Sequence, residues 1–328
     1  MGLLFGSFFN VCIYRIPSGQ SVSLPGSYCY TCGSPIRGYD NIPVLSYLIL
    51  KGRCRTCRSP FSARYALIEL LTGCLFLAVF VTYGLSWASV QYCILTGLLL
   101  VATFTDFDHW IIPDRISYGG AMLGIALAIV MPFLPGIDPD SWILGHTGPL
   151  AWSEGRWWAP AVNSIIGALS GAGLLWAIGF VASLIFRMPA MGLGDSKLLL
   201  CIGAFCGWKV ALLCIFLASV FGTLQGLFIY LAPEKSGAQN TENSKETLEH
   251  IHKVLHDENE EYEKIECLYS GDEKVVLTRI LSSDWERPKR RHHLKFGPHL
   301  ALAAWLLMIY EQPVMNGLYD YLGLQYLL

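Results

Sequence analysis

Two short segments of the chain place acidic side chains beside apolar stretches. Residues 105–114 read Thr-Asp-Phe-Asp-His-Trp-Ile-Ile-Pro-Asp, and residues 191–197 read Met-Gly-Leu-Gly-Asp-Ser-Lys. Ionisable groups next to membrane-spanning segments are costly to keep there, so they are functional candidates by default. We expect one carboxylate from each segment, Asp106 and Asp195, to form a catalytic pair.

Two carboxylates held close together share a single proton, because both cannot easily ionise at once. The ionised member accepts a proton from water while the protonated member polarises a scissile carbonyl group. The pair therefore suits peptide hydrolysis. A proton-coupled transporter is the alternative, since carboxylates inside membranes also carry protons.

Helical geometry selects among the acids of the first segment. Asp106 and Asp108 are about 200° apart around a helix, so only one of them can face a helical bundle. Asp114 follows Pro113, which disfavours helix at the preceding residue and indicates a turn. Asp106 is nearest to the apolar run and is the predicted catalytic residue.

Glycines precede the second candidate aspartate. Gly192 and Gly194 flank Leu193 just before Asp195. Glycine permits backbone angles closed to other residues and lets another chain approach closely. We expect these two glycines to support the backbone of an extended substrate. Lys197 is interpreted as an interfacial anchor.

Four of the eleven cysteines form two Cys-x2-Cys pairs, Cys29 with Cys32 and Cys54 with Cys57. Paired units at this separation are typical of structural zinc sites with four thiolate ligands. The segment is short, so a metal would contribute much of its folding energy. Disulfides and redox-active thiols are the alternatives.

The elements that must hold these residues are membrane helices. The chain has 328 residues, 53% of them hydrophobic and only 15% charged, against about 25% charged in soluble domains. A helix needs about 20 apolar residues to cross a bilayer. The apolar runs predict an all-α polytopic membrane protein with about eight spans. The two spans that follow the N-terminal span should be separated from each other near residues 84–86. No basic stripe with aromatic residues is present, which argues against nucleic-acid binding.

Basic residues in the short loops predict the orientation. Residues 1–16 should form the first span, which lacks the features of a cleaved signal peptide. Residues 17–65 are rich in Arg and Lys and should form a cytoplasmic loop domain that holds the four paired cysteines. Residues 66–233 should form the transmembrane catalytic core, with both aspartates at the cytoplasmic face. Residues 234–295 form a polar cytoplasmic insert, and 296–328 the last span and tail.

The motifs resemble those of the prepilin (type IV leader) peptidase family. The shared features are Asp106 with seven residues before an Ile-Pro-Asp, the Gly-Leu-Gly-Asp195 segment, Gly6-Ser7-Phe8-Phe9-Asn10, and Phe296-Gly297-Pro298. The resemblance implies an aspartic peptidase of the bacterial inner membrane that removes the leader from type IV prepilins or secretion pseudopilins. It also implies that Asp106 and Asp195 are catalytic.

The resemblance implies a second activity as well. Long members of the family carry such a cysteine-rich loop and methylate the new N-terminal amine of the pilin with S-adenosylmethionine. No glycine-rich strand–turn–helix motif predicts where this cofactor binds. A peptidase that has the cysteine loop only as a scaffold and performs no methylation stays open.

Overall fold

The computed structural model describes residues 1–130, 133, 157–187, 192–231 and 295–322, and the described part of the chain is mostly helical without any strand. A 3-10 turn covers Gly38–Asn41. The α-helices are α1 (Gly2–Arg15), α2 (Leu45–Ile49), α3 (Arg64–Tyr83), α4 (Trp87–His109), α5 (Asp114–Val130), α6 (Ala159–Phe186), α7 (Leu193–Leu231) and α8 (Phe296–Leu322). The prediction of an all-α protein is confirmed for these residues.

Four of the described helices, α3, α4, α6 and α7, are long and apolar enough to cross a membrane, and α8 begins with a shorter apolar stretch at Phe296–Tyr310. Their outer faces expose large apolar side chains, such as Leu77 on α3, Ile185 on α6 and Phe228 on α7. Such faces are costly in water and are stable against lipid. The architecture is therefore that of a polytopic membrane protein.

The break expected between the first two helices of the core is confirmed. Helix α3 ends at Tyr83, and Gly84 follows with a positive φ of 62°. Ser86 then accepts a hydrogen bond through its side chain from the backbone N–H of Ser89 and so caps α4. This pairing of a glycine stop and a serine cap explains why one apolar run of sequence forms two helices.

Helix α7 consists of two helical segments that meet at Gly207, and the apolar runs 198–208 and 210–233 divide at nearly the same place. It runs through 39 residues with a kink at Gly207, where φ is 77° and ψ is 175°. Helix α6 crosses at this point, because a Cβ on Gly167 would overlap the carbonyl oxygen of Gly203 and lie 2.7 Å from Cα of Gly207. Small residues let the two backbones touch, as in many membrane helix pairs.

The helices that carry the two aspartates also form much of the buried core. Fully buried side chains include Leu95 on α4, Ile202 on α7 and Leu300 on α8. Residues Met1–Gly222 and Lys295–Leu328 form one compact unit, and Thr223–Leu294 form a second, of which the end of α7 is described. The predicted insert at 234–295, apart from Lys295, and nearly all of the loop at 138–158 lie outside the described residues.

Candidate active site

Asp106 lies near the C-terminus of α4 and is buried, with 8% of its surface exposed. The helix ends at His109, and Trp110 adopts a left-handed conformation with φ of 57°. The backbone N–H of Trp110 donates to the carbonyl oxygen of Asp106 at 3.0 Å. This turn directs the chain away from the helix just after Asp106.

Asp195 lies in the first turn of α7, which begins at Leu193. Gly194 is therefore part of the helix, and a Cβ at this position would lie 3.6 Å from Cδ1 of Ile112. Gly192 precedes the helix, is exposed, and a Cβ there would meet no atom of the described residues within 4 Å. The structure thus places one glycine against the segment after α4 and leaves space around the other.

A third element, the first turn of α8, lies between the two aspartates. A Cβ on Gly297 would lie 3.2 Å from Oδ2 of Asp106, 3.5 Å from Oδ1 of Asp195 and 3.1 Å from Cδ1 of Ile112. Both carboxylates therefore face the same small space, which only a glycine leaves open. Sequence reasoning noted Phe296-Gly297-Pro298 as a motif but did not assign this role to it.

The neighbouring acids have cationic partners. Asp108 accepts two hydrogen bonds of 2.7 Å from the guanidinium of Arg64, and Asp114 forms an ion pair of 2.6 Å with Lys197. Within the described residues, the carboxylates of Asp106 and Asp195 have neither hydrogen bonds nor ion pairs of this kind. The structure therefore separates two tethered acids from two that are available for chemistry.

Lys197 lies two residues after Asp195 and links the first turns of α7 and α5. Its ammonium group is paired with Asp114 and lies 5.2 Å from the ring centroid of Tyr118. An exposed pair of this kind contributes only about 0–1 kcal/mol to stability. Its contribution is to fix the approach of the two helix ends beside Asp195.

Lys295 is a residue that sequence reasoning missed. Its Nζ donates to the backbone carbonyl oxygens of Asp106 at 2.6 Å and Phe107 at 2.7 Å, and it lies 4.0 Å from the ring centroid of Trp110. A cation at a helix C-terminus satisfies carbonyl groups that have no partner within the helix. Lys295 thus holds the end of α4 against the start of α8. Its position just before Phe-Gly-Pro was the only signal in the sequence.

The four cysteines of the loop come together as predicted from their spacing. The Sγ atoms of Cys29, Cys32, Cys54 and Cys57 all lie within 4.8 Å of one another. Four thiolates bound at about 2.3 Å to one zinc ion lie about 3.8 Å apart, and the Sγ atoms of Cys29 and Cys57 are separated by 3.7 Å. The donor set and its size therefore fit a single tetrahedral metal ion such as zinc.

The two cysteine pairs have the same local fold. Cys29 N–H donates to the carbonyl of Ser34 and Cys54 N–H to the carbonyl of Ser59, at 2.9 and 2.8 Å. A residue with positive φ follows each second cysteine, Gly33 in one turn and Arg58 in the other. Hydrogen bonding, first from the Cys32 backbone N–H, lowers the pKa of the Cys29 thiol to about 6. Metals bind this ionised form.

Comparison with known proteins matches two family models to the chain. Residues 1–83 match the bacterial peptidase A24 N-terminal domain, and residues 93–227 match the type IV leader peptidase family. The cysteine loop and α1–α3 fall in the first region, and the two aspartates fall in the second.

The names of curated relatives state two activities, leader peptidase and N-methyltransferase. Proteins named prepilin leader peptidase/N-methyltransferase are 36% identical over 75% of this chain in Myxococcus xanthus and 34% identical over 70% in Pseudomonas putida. The chain spans 66% of the length of the first and 78% of the second. A relative of the same name from Pseudomonas aeruginosa is 31% identical over 98% of this chain and 92% of its own length. No solved structure matches.

Proposed function

We propose that this chain, which belongs to the type IV leader peptidase family, is an aspartic endopeptidase of the bacterial inner membrane. It cleaves the leader from type IV prepilins or secretion pseudopilins and then methylates the new N-terminal amine. The observation that supports the peptidase activity is that the carboxylates of Asp106 and Asp195, which have no ion pair within the described residues, both lie around the open position at Gly297. The names of the relatives support both the peptidase and the methyltransferase activity. They do not favour a proton-coupled transporter.

Peptide hydrolysis at this pair follows from one shared proton. The ionised aspartate accepts a proton from water, whose oxygen attacks the scissile carbonyl carbon. The protonated aspartate gives its proton to the carbonyl oxygen, forming a tetrahedral diol. Collapse of the diol breaks the carbon–nitrogen bond, and the leaving amine takes a proton from the pair.

The substrate backbone would lie along the segment before α7. Space around Gly192 and the absence of a side chain at Gly194 allow an extended peptide to approach Asp195 closely. The hydrophobic helix of the pilin would lie against the apolar outer faces of the bundle. The partners are therefore a prepilin or pseudopilin and the lipid bilayer.

The two cofactors have different roles. The four cysteines would hold one structural zinc ion, which fixes the two turns of the loop domain. S-adenosylmethionine, when bound, supplies a methyl group that the amine nitrogen attacks as the carbon–sulfur bond breaks toward sulfur, and the nitrogen then loses a proton. The chain's own contribution is to bind that cofactor and bring the new N-terminus to it.

We place the active site at the cytoplasmic face of an eight-span protein. Helices α1, α3, α4, α5, α6 and α8 and the two parts of α7 on either side of Gly207 are the candidate spans. Basic residues outnumber acids in the loop between α1 and α3, where Asp40 is the single acid. Such loops remain on the cytoplasmic side.

The test is cleavage of a prepilin-like substrate by purified protein carrying Asp106→Asn or Asp195→Asn. Each change keeps the side-chain shape but removes acid–base function, so the cleavage rate should fall by about 10²–10⁴-fold. Asp108→Asn is the matched control, since Asp108 is tethered to Arg64 and its replacement should leave the cleavage rate within about tenfold of the unchanged protein's. Normal cleavage by both site variants would refute the catalytic pair.

Methyl transfer is measured on the same cleaved substrate with labelled S-adenosylmethionine. Incorporation of one methyl group at the new N-terminus supports the second half of the proposal. Cleavage without any incorporation would reduce the function to that of a leader peptidase whose cysteine loop is only a scaffold.

A further inference from the structure

Lys295, the residue just before α8, contacts the same helix end that supplies Asp106. Its ammonium group donates to the backbone carbonyl of Asp106 itself at 2.6 Å and to that of Phe107 at 2.7 Å. The rings of Phe107 and Trp110 also lie near this group, with their centroids 5.6 and 4.0 Å from Nζ. Aromatic faces attract cations, so two carbonyl groups and two rings fix one positive charge at the end of α4.

The backbone of Lys295 is fixed as well. Its carbonyl oxygen lies 2.8 Å from Nδ1 of His299, in the first turn of α8. A carbonyl oxygen can only accept a hydrogen bond, so this ring nitrogen carries a proton and donates it. The same turn contains Gly297, the open position between the two aspartates. The placement of the ammonium group is therefore tied to the geometry of the site.

The two aspartates lie at helix ends of opposite polarity. Asp195 is in the first turn of α7, where unpaired N–H groups carry about half a positive charge, and Asp106 is in the last turn of α4, where unpaired carbonyls carry about half a negative charge. The helix ends alone therefore favour the negative charge on Asp195.

The contact with Lys295 changes this balance. A full positive charge placed directly on the last carbonyls of α4 is larger than the partial negative charge that it meets there. It also lies against the backbone of the very residue whose carboxylate it stabilises, whereas the partial charge near Asp195 is spread over the N–H groups of a whole turn. An opposite charge nearby favours the ionised form of a carboxyl group. The charge should therefore reside on Asp106.

The other charged groups around these helix ends have partners of their own. The pairs are Arg64 on α3 with Asp108, Lys197 on α7 with Asp114 on α5, and Arg15 on α1 with the carbonyls of Ser21 and Pro25. Further ionisable groups on α4 and on the helices packed against it are His109 on α4, Tyr65 and Glu69 on α3, Arg115 and Tyr118 on α5, and His299 on α8. Within the described residues, Lys295 is the cation that contacts Asp106.

We propose that Lys295 is a positioning residue that keeps the negative charge of the carboxylate pair on Asp106. Asp106 then takes the proton from the attacking water, and Asp195 gives its proton to the carbonyl oxygen of the scissile bond. After this step Asp106 is protonated and Asp195 is ionised, so the protons balance. The inference rests on the proposed peptidase activity and assigns the roles of the two acids within it.

The pH dependence of leader cleavage tests this assignment. The rate should follow a bell-shaped profile, whose acidic limb reports the first ionisation of the pair and whose alkaline limb reports the second. Lys295→Met removes the charge that favours ionised Asp106, so it should move the acidic midpoint about 1 pH unit higher and the alkaline midpoint much less. Lys295→Arg keeps a charged donor and should retain the unchanged profile.

Lys51→Met is the control for the loss of one positive charge. Lys51 is exposed in the cysteine loop, and its side chain has neither a hydrogen bond nor an ion pair within the described residues. Both midpoints should stay where they are in this variant. All other ionisable groups are the same in the unchanged protein and the Lys295 variants, so a difference between their profiles belongs to residue 295.

Two results would overturn the proposal. If Lys295→Met moves the alkaline midpoint instead, the proton resides on Asp106. If the rate falls equally at every pH and neither midpoint moves, Lys295 only clamps α8 to α4. Absence of cleavage by the unchanged protein at every pH is a different result, because it refutes the peptidase activity itself.

A measurement on the unchanged protein covers the case in which Lys295→Met fails to fold, which its melting temperature would reveal. A small epoxide reacts with an ionised carboxylate, whose oxygen opens the ring while the released alkoxide takes a proton from water. Peptide mapping by mass spectrometry should find the resulting ester on Asp106 in preference to Asp195. Preferential labelling of Asp195 would overturn the assignment.

Discussion

Gly297 illustrates how the candidate active site depends on single residues. Two helix ends, those of α4 and α7, supply the acids, and the start of α8 passes between them with no side chain at the point of contact. In the proposed mechanism both carboxylates reach a scissile carbonyl, so the space at Gly297 is where a reacting peptide and a water molecule would meet them.

Replacing Gly297 with alanine should therefore impair cleavage. The new methyl group would lie 3.2 Å from Oδ2 of Asp106 and 3.1 Å from Ile112, so the acid or the α8 turn must shift. The shift needed is a few tenths of an ångström, and since a displacement of about 1 Å at a catalytic group costs about 10²-fold in rate, the cleavage rate should fall several-fold. The cleavage rate is measured together with the melting temperature.

Gly119→Ala on α5 is the matched control, because a Cβ there meets nothing within 4 Å. This change should leave the rate unchanged. If Gly297→Ala cleaves at the normal rate, the open position at Gly297 has no part in the reaction.

Sequence reasoning identified the local part of this site and missed the distant part. Asp106 and Asp195 could be selected because each sits in a short motif beside an apolar run. Lys295 and Gly297 lie far along the chain from both, and their relation to Asp106 exists only once α8 packs against α4. No local pattern encodes a hydrogen bond between Lys295 and the backbone of α4.

At the scale of elements, the cysteine loop depends on two turns with the same hydrogen bonds. Each turn contributes two sulfurs, and one of them, Cys29 or Cys54, is buried. The loop between α1 and α3 has little regular structure beyond a 3-10 turn and the short α2. Its stability therefore depends on the joining of the two turns, which a metal ion such as zinc would provide.

Cys54→Ser should remove the metal from the loop. Loss of one of four thiolates weakens zinc binding strongly, since zinc prefers tetrahedral sulfur ligation. Metal analysis should give about one zinc per unchanged chain and much less for the variant, and limited proteolysis should cut the loop faster. Cys74→Ser on α3 is the control, as Cys74 is exposed and outside the cluster. Equal zinc in all three proteins would contradict a four-thiolate site.

The sequence predicted helices well where their ends have chemical signals. Gly84 and Ser86 mark the break between α3 and α4, and Pro113 marks the start of α5. At Gly207 the non-helical backbone angles divide α7 between its two apolar runs. The backbone of α6 at Gly167 packs directly against this kink, and such a contact between two helices leaves no period in the sequence.

At the scale of the whole molecule, the proposed orientation must bring three features to one membrane face. Described contacts link the cysteine loop with the Asp106 end of α4 and the Asp195 start of α7. Arg64, where the loop meets α3, pairs with Asp108 on α4, and Lys197 on α7 pairs with Asp114 on α5. The helices therefore bring the loop domain and both aspartates to one face. Basic residues in the loop predict that this face is cytoplasmic.

Reporter insertion tests that orientation and the number of spans together. Alkaline phosphatase needs disulfides, which form in the periplasm and not in the cytoplasm. Inserted between Gly145 and His146 it should be active, and inserted between Ser236 and Gly237 it should be inactive, because α6 and the two parts of α7 make three crossings between these points. Immunoblots establish that both fusions accumulate equally. Activity at both positions would mean that α7 crosses only once, and the eight-span arrangement would fail. Activity only at the insertion between Ser236 and Gly237 would put Asp106 and Asp195 on the periplasmic side.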